Sequence, residues 1–127
     1  MPEQSKKILI IEDDRLLQNI LTTEFGRYGF QTFAASDGAE GLDFALIENP
    51  DLILLDIIMP KMDGLTMLKK LREDEKGKLI PVIILTNLSD AEAIDRSLKS
   101  GSYDFLTKAN WELGDIVQKV KEKLRMS

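Results

Sequence analysis

The sequence predicts an α/β fold, a doubly wound five-stranded parallel sheet in the flavodoxin-like order 2-1-3-4-5. Three observations carry that expectation. Short apolar runs of strand length alternate with helical patterns along the whole chain. The strand runs are apolar at consecutive positions, as befits strands covered by helices on both faces. The length of 127 residues matches one domain at roughly 150 residues per domain, and at this size the (βα)5 order is favoured over half of a Rossmann fold.

The elements follow in order. Lys7–Ile11 is a β-branched run of strand length, and Leu16, Leu17, Ile20, Leu21 and Phe25 form a helical stripe that stops near Gly29. Gln31–Ala35 is a weaker strand, followed by a helix over Gly38–Ile47 carrying Leu42, Ala45 and Leu46. Asp51–Leu55 is the third strand, and Leu65, Leu68 and Leu71 mark a third helix. Pro81–Leu85 is the fourth strand, with Ile94 and Leu98 on the helix after it. Ser102–Leu106 is a short fifth strand. The last helix spans about Trp111 to Leu124, with Leu113, Ile116, Val117, Val120 and Leu124 on its inner face. No repeat, low-complexity segment or interdomain linker interrupts the pattern, so a single domain is expected over 1–127, its core at about 6–125.

Composition narrows the chemistry. Apolar residues make up 43% of the chain, enough for a core and too many for disorder. Cysteine and histidine are both absent. That removes thiol nucleophiles, disulfides, Ser-His-Asp triads and His/Cys zinc sites. The net charge of −5 disfavours direct nucleic-acid binding, whose affinity comes largely from neutralised phosphates. Acids outnumber bases 12 to 5 over residues 1–64, whereas residues 65–127 hold 10 acids and 12 bases. No apolar stretch after Lys7 is long enough for a signal peptide, and no run approaches the roughly 20 residues of a membrane helix. The expected setting is the cytoplasm, with no membrane partner.

In an open parallel sheet the working site lies beyond the carboxyl ends of the strands, where strand order reverses. Those ends carry Glu12-Asp13-Asp14, Asp56, Thr86-Asn87 and Thr107-Lys108, whereas the second strand ends in Ala34-Ala35-Ser36. Asp14 also fits a helix N-cap. Glu12, Asp13 and Asp56 are expected to converge at the crevice between the first and third strands, where their mutual repulsion calls for a cation. An all-oxygen set suits Mg²⁺, or Mn²⁺ in its place, better than Ca²⁺. A metal-bound carboxylate cluster beside the hydroxyl of Thr86 and the ammonium of Lys108 describes a phosphoryl site. Asp56 is then either a further ligand or a nucleophile that forms an aspartyl phosphate. The loop Ile57–Gly64, with Pro60 and a closing glycine, would hold Asp56 in place.

These residues in this order resemble the receiver domain of bacterial two-component response regulators, over essentially all of residues 6–125. The resemblance rests on Glu12-Asp13, the Asp56-x-x-Met59-Pro60-x-x-x-Gly64 pattern, Thr86 and Lys108, with Gly101 and Phe105-Leu-Thr-Lys108 adding to it. It implies that Asp56 accepts a phosphoryl group from a phosphohistidine of a sensor histidine kinase or a histidine phosphotransfer protein. It further implies that Asp13 and Asp56 bind Mg²⁺ directly, Glu12 through water and Ile58 through its main-chain carbonyl. Thr86 and Phe105 match the switch pair, and Lys108 matches the lysine that pairs with phosphoryl oxygens. The face built from the helix through Ile94 and Leu98, the fifth strand and the last helix would signal to a downstream protein or pair with a second copy.

The chain departs from the family pattern at three places. Ala109 follows Lys108 where a proline is usual; a cis bond to a non-proline residue costs about 3 kcal/mol, so a trans bond is expected. Asn87 replaces a small residue after Thr86, and Glu12 replaces the more usual aspartate. Two other readings stand beside the receiver. A Mg²⁺-dependent phosphohydrolase would use Asp56 as nucleophile, but Ile58 holds the place of its general acid and 127 residues leave no room for a lid. A pseudo-receiver would keep the fold without phosphorylation, with Asn87 and Ala109 as its support. No output domain is expected after Ser127, and without histidine the chain can only receive a phosphoryl group.

Overall fold

A computed structural model describes residues 5–56, 64–86, 103–107 and 112–125. Five strands, β1 (Lys7–Ile11), β2 (Gln31–Ala35), β3 (Leu52–Asp56), β4 (Val82–Thr86) and β5 (Tyr103–Thr107), form one sheet in the order β2-β1-β3-β4-β5. Every neighbouring pair is parallel. The expected flavodoxin-like fold is therefore present. Four helices accompany the strands among the described residues: α1 (Arg15–Arg27), α2 (Gly38–Glu48), α3 (Gly64–Glu73) and α4 (Leu113–Lys123). The helix expected through Ile94 and Leu98 lies outside those residues.

Alternation along the strands divides the core in two. Leu9, Ile11, Ile53, Leu55, Val82 and Ile84 pack with Ala45 of α2 and Met67, Leu68 and Leu71 of α3. Ile8, Ile10, Leu52, Leu54, Ile83 and Leu85 pack with Leu21 and Phe25 of α1 and Ile116, Val117 and Val120 of α4. Successive strand residues point to opposite faces, so a strand between two helical layers must be apolar throughout. β3 meets that demand over Leu52–Leu55 and ends in the buried Asp56. Gly41 lets α2 approach β1 closely, since a Cβ there would meet Cδ1 of Ile11 and lie 2.8 Å from its Cγ1.

The helix ends have identifiable causes. Asp14 caps α1 as expected, its side chain accepting the Leu17 N–H. Gly29, at φ 90°, supplies the left-handed turn after α1 that a side chain would disfavour. The Arg72 guanidinium holds the turn before β4 by donating to the carbonyls of Gly77 and Ile80, both at 2.9 Å. Partial burial pushes its pKa below the usual arginine value.

The structure corrects the sequence-based expectation at several points. β3, β4 and β5 each lie one residue further along than expected. Pro81 has no N–H to give a ladder, and Asp51 spends its carboxylate on the Lys7 N–H at 2.7 Å. Asp56 and Thr86 are thus the last residues of their strands rather than the first of the loops. On α1, Leu16 and Ile20 are 71% and 41% exposed, so the expected stripe is too wide. Leu17, Gln18, Leu21 and Phe25 face the sheet instead, and successive residues on a helix are about 100° apart. Leu46 of α2 is likewise exposed.

Candidate functional site

A parallel sheet gathers all its carboxyl ends on one edge. β1 lies between β2 and β3, so the chain leaves β1 in one direction and β3 in the other, opening a crevice between them. Ile11 is level with Leu55 across this junction, which sets Glu12 beside Asp56. Carboxylate oxygens of Glu12, Asp13 and Asp56 all lie within 4.8 Å of one another. Glu12 and Asp56 are buried, at 2% and 3% exposure, whereas Asp13 is open to solvent.

Local hydrogen bonds aim this cluster. Glu12 Oε2 accepts the Asp14 N–H at 3.1 Å, tying the carboxylate to the residue that caps α1. The Glu12 N–H donates to the Ala35 carbonyl at 3.0 Å, extending the β1–β2 ladder to the edge of the site. Gln18 reaches back from α1, its Nε2 donating to the carbonyls of Glu12 at 3.0 Å and Ala35 at 3.1 Å. Sequence reasoning passed over Gln18; its one signal is an amide on the inner face of an otherwise apolar stripe.

The other expected site residues divide by position. Asp56 pairs with Leu85, and Thr86 is the next residue of β4, one step further out on the same edge. Thr107 is opposite Thr86 on β5, and Phe105 is opposite Ile84. Ile58, Asn87, Leu88, Lys108 and Ala109 lie outside the described residues. A depression of about 420 Å³ beside Pro50, Leu79 and Pro81 is at the amino ends of β3 and β4, on the opposite edge from the acids.

The cluster fits a hard divalent cation. Its donors are all oxygen, and placing carboxylates together away from water is costly without a countercharge. Receptive chemistry at the carboxyl edge of a five-stranded parallel sheet agrees with the sequence comparison: the profile of the response regulator receiver domain matches residues 8–121. The chain belongs to the response regulator receiver family. As a receiver it is a phosphoryl-accepting signalling domain of two-component systems.

Among similar proteins, the receiver is 35% identical over 119 residues to the DNA-binding dual master transcriptional regulator RpaA of Synechocystis. The match covers 94% of this chain and 49% of that protein, so the chain spans about half the length of this relative. The receiver domain of the Francisella response regulator 1452 superposes with a TM-score of 0.81 at 36% identity, covering 93% of this chain and 95% of that one. The receiver domain of the sensor histidine kinase PA1611 from Pseudomonas aeruginosa, solved with a magnesium ion coordinated in its active site cleft, gives a TM-score of 0.81 at 25% identity. That match covers 94% of this receiver and 97% of the other chain. No helix among the described residues is long and apolar enough to cross a membrane.

Proposed function

We propose that Asp56 accepts a phosphoryl group from the phosphohistidine of a sensor histidine kinase or a histidine phosphotransfer protein. The observation that carries this reading is the convergence of Glu12, Asp13 and Asp56 at the β1/β3 crevice. A carboxylate oxygen of Asp56 forms the new P–O bond as the P–N bond of the donor breaks. Glu12, Asp13, Asp56 and the main-chain carbonyl of Ile58 would hold Mg²⁺, or Mn²⁺ in its place, which offsets charge on the phosphoryl oxygens. Thr86 donates a hydrogen bond to one of those oxygens and Lys108 pairs with another. Thr86 and Phe105 form the switch that carries the change to the face made by β5, α4 and the helix expected through Ile94 and Leu98. A downstream protein, or a second copy of the chain, recognises that face.

The domain on this reading is a signalling module and not an enzyme with turnover, since Ile58 cannot act as the general acid of a phosphohydrolase. Its setting is the cytoplasm, and neither nucleic acid nor membrane is a direct partner of the domain. Intact mass after incubation with a small phosphodonor and Mg²⁺ tests the proposal. A single phosphoryl adduct is expected, labile to hydroxylamine and absent from Asp56→Ala. An adduct that persists in that variant refutes the assignment of Asp56, and no adduct on the wild type makes the domain a pseudo-receiver.

A further inference from the structure

We infer that Gln18 is a positioning residue for the acidic site and sets its affinity for Mg²⁺. The inference rests on the metal reading of Glu12, Asp13 and Asp56. Gln18 is only 8% exposed, on the face of α1 that otherwise buries Leu21 and Phe25. An apolar side chain would satisfy such a position at no polar cost, whereas a buried amide is tolerated only when its hydrogen bonds are made. The two hydrogens of its Nε2 go to Glu12 O, just past the end of β1, and to Ala35 O, at the end of β2.

The pairing of β1 with β2 does not need these bonds. Five register pairs and the Glu12 N–H to Ala35 O bond already hold the two strands. What Gln18 adds is a connection from the body of α1 to the peptide that carries Glu12. The Gln18 N–H also donates to Asp14 O at 2.9 Å, and the Asp14 N–H donates to Glu12 Oε2 at 3.1 Å. Residues 12 to 14 are thus fastened to the first turns of α1 at both ends, with Asp13 between them. The exposed Asp13 carboxylate takes its place in the cluster from these two anchors. Groups that orient metal ligands through hydrogen bonds tune affinity without touching the ion.

The test is calorimetric Mg²⁺ titration of the purified chain, with thermal unfolding in chelator as a second readout. Gln18→Met keeps the length and removes both donors; it should weaken Mg²⁺ binding about tenfold, within the range seen when ligand-orienting groups are lost. Leu21→Ala opens a cavity one turn further along the same buried face and lowers stability without touching residues 12 to 14. It should bind Mg²⁺ as the wild type does. Gln18→Asn, with the amide one methylene short, should weaken binding in the same direction and carries the test if Gln18→Met fails to fold. Unchanged affinity in the folded Gln18 variants overturns the inference, as does an equal loss in Leu21→Ala. A wild type that binds no Mg²⁺ overturns the metal reading itself, and this inference with it.

Discussion

Asp13→Asn should make the metal-free domain more stable and remove most of its response to Mg²⁺. Asp13 shares the 4.8 Å cluster with two other carboxylates, so the substitution removes two like-charge contacts. At that separation two unit charges repel by about 0.9 kcal/mol in a water-like dielectric and about 3.5 kcal/mol at an effective dielectric of 20. Asp13 is exposed, so solvent screening favours the lower figure, giving a gain of about 1–2 kcal/mol for both contacts together. For a domain of this size that raises the melting temperature by about 4–8 °C. Metal closes most of that gap. At ten times its dissociation constant Mg²⁺ stabilises the wild type by about 1.4 kcal/mol through mass action, and the variant forfeits most of that. Calorimetric melts at low ionic strength, in chelator and in Mg²⁺, read both effects. A variant that melts no higher than wild type in chelator refutes the repulsion argument, and a full Mg²⁺ response removes Asp13 from the metal site.

Two further outcomes are expected. Gly41→Ala should lower stability by a net of about 1–2 kcal/mol in urea unfolding, because crowding Ile11 outweighs the better helix propensity; a stabilised variant would show that α2 withdraws from β1 without cost. The phosphorylated wild type should lose its phosphoryl group slowly. The positions two residues after Asp56 and Thr86 hold Ile58 and Leu88, which cannot align a water by hydrogen bonding. Ile58→Asn should speed that loss by at least about tenfold, alignment being worth several kcal/mol; equal rates of loss would remove side-chain control of this water.

The parts of the fold legible in the sequence are those where one force acts alone. β1 matches expectation residue for residue because an apolar run bounded by charged residues leaves no other choice, and the weaker β2 matches because turn residues, Gly29 before it and Ser36-Asp37-Gly38 after it, leave no room to shift. β3 and β4 lie one residue further along because hydrophobicity does not mark where full pairing starts: Pro81 has no N–H to give, and the Lys7 N–H goes to the Asp51 side chain instead of a strand carbonyl, while Asp56 is taken into the ladder. The rotation of α1 was hidden for a related reason. Leu16, Leu17, Ile20 and Leu21 support two overlapping stripes, and the hydrogen bonds of Gln18, invisible in a hydrophobic pattern, accompany the one that is buried. The acidic cluster was legible because strand ends in a parallel sheet share one edge, so residues 44 positions apart meet without any side-chain detail. Its stitching to α1 depends on angles and distances that no spacing encodes.

β3 carries a consequence for how the sheet keeps its alignment. Leu52 and Leu54 face one helical layer and Ile53 and Leu55 the other, so the strand is nearly as greasy on either side. Sliding it by one residue would exchange the two faces while burying almost the same hydrocarbon, and the usual penalty for slippage, apolar groups turned out to water, is lost. The acids at its ends supply a different penalty. A slip one way drags Asp56 inward from the open edge, and a slip the other way pulls Asp51 off the Lys7 N–H and into the layer between helices. Either movement strands a charge in hydrocarbon, which costs several kcal/mol. The two aspartates act as stops at the ends of a rail, so the residue proposed to take the phosphoryl group also fixes where the strand sits.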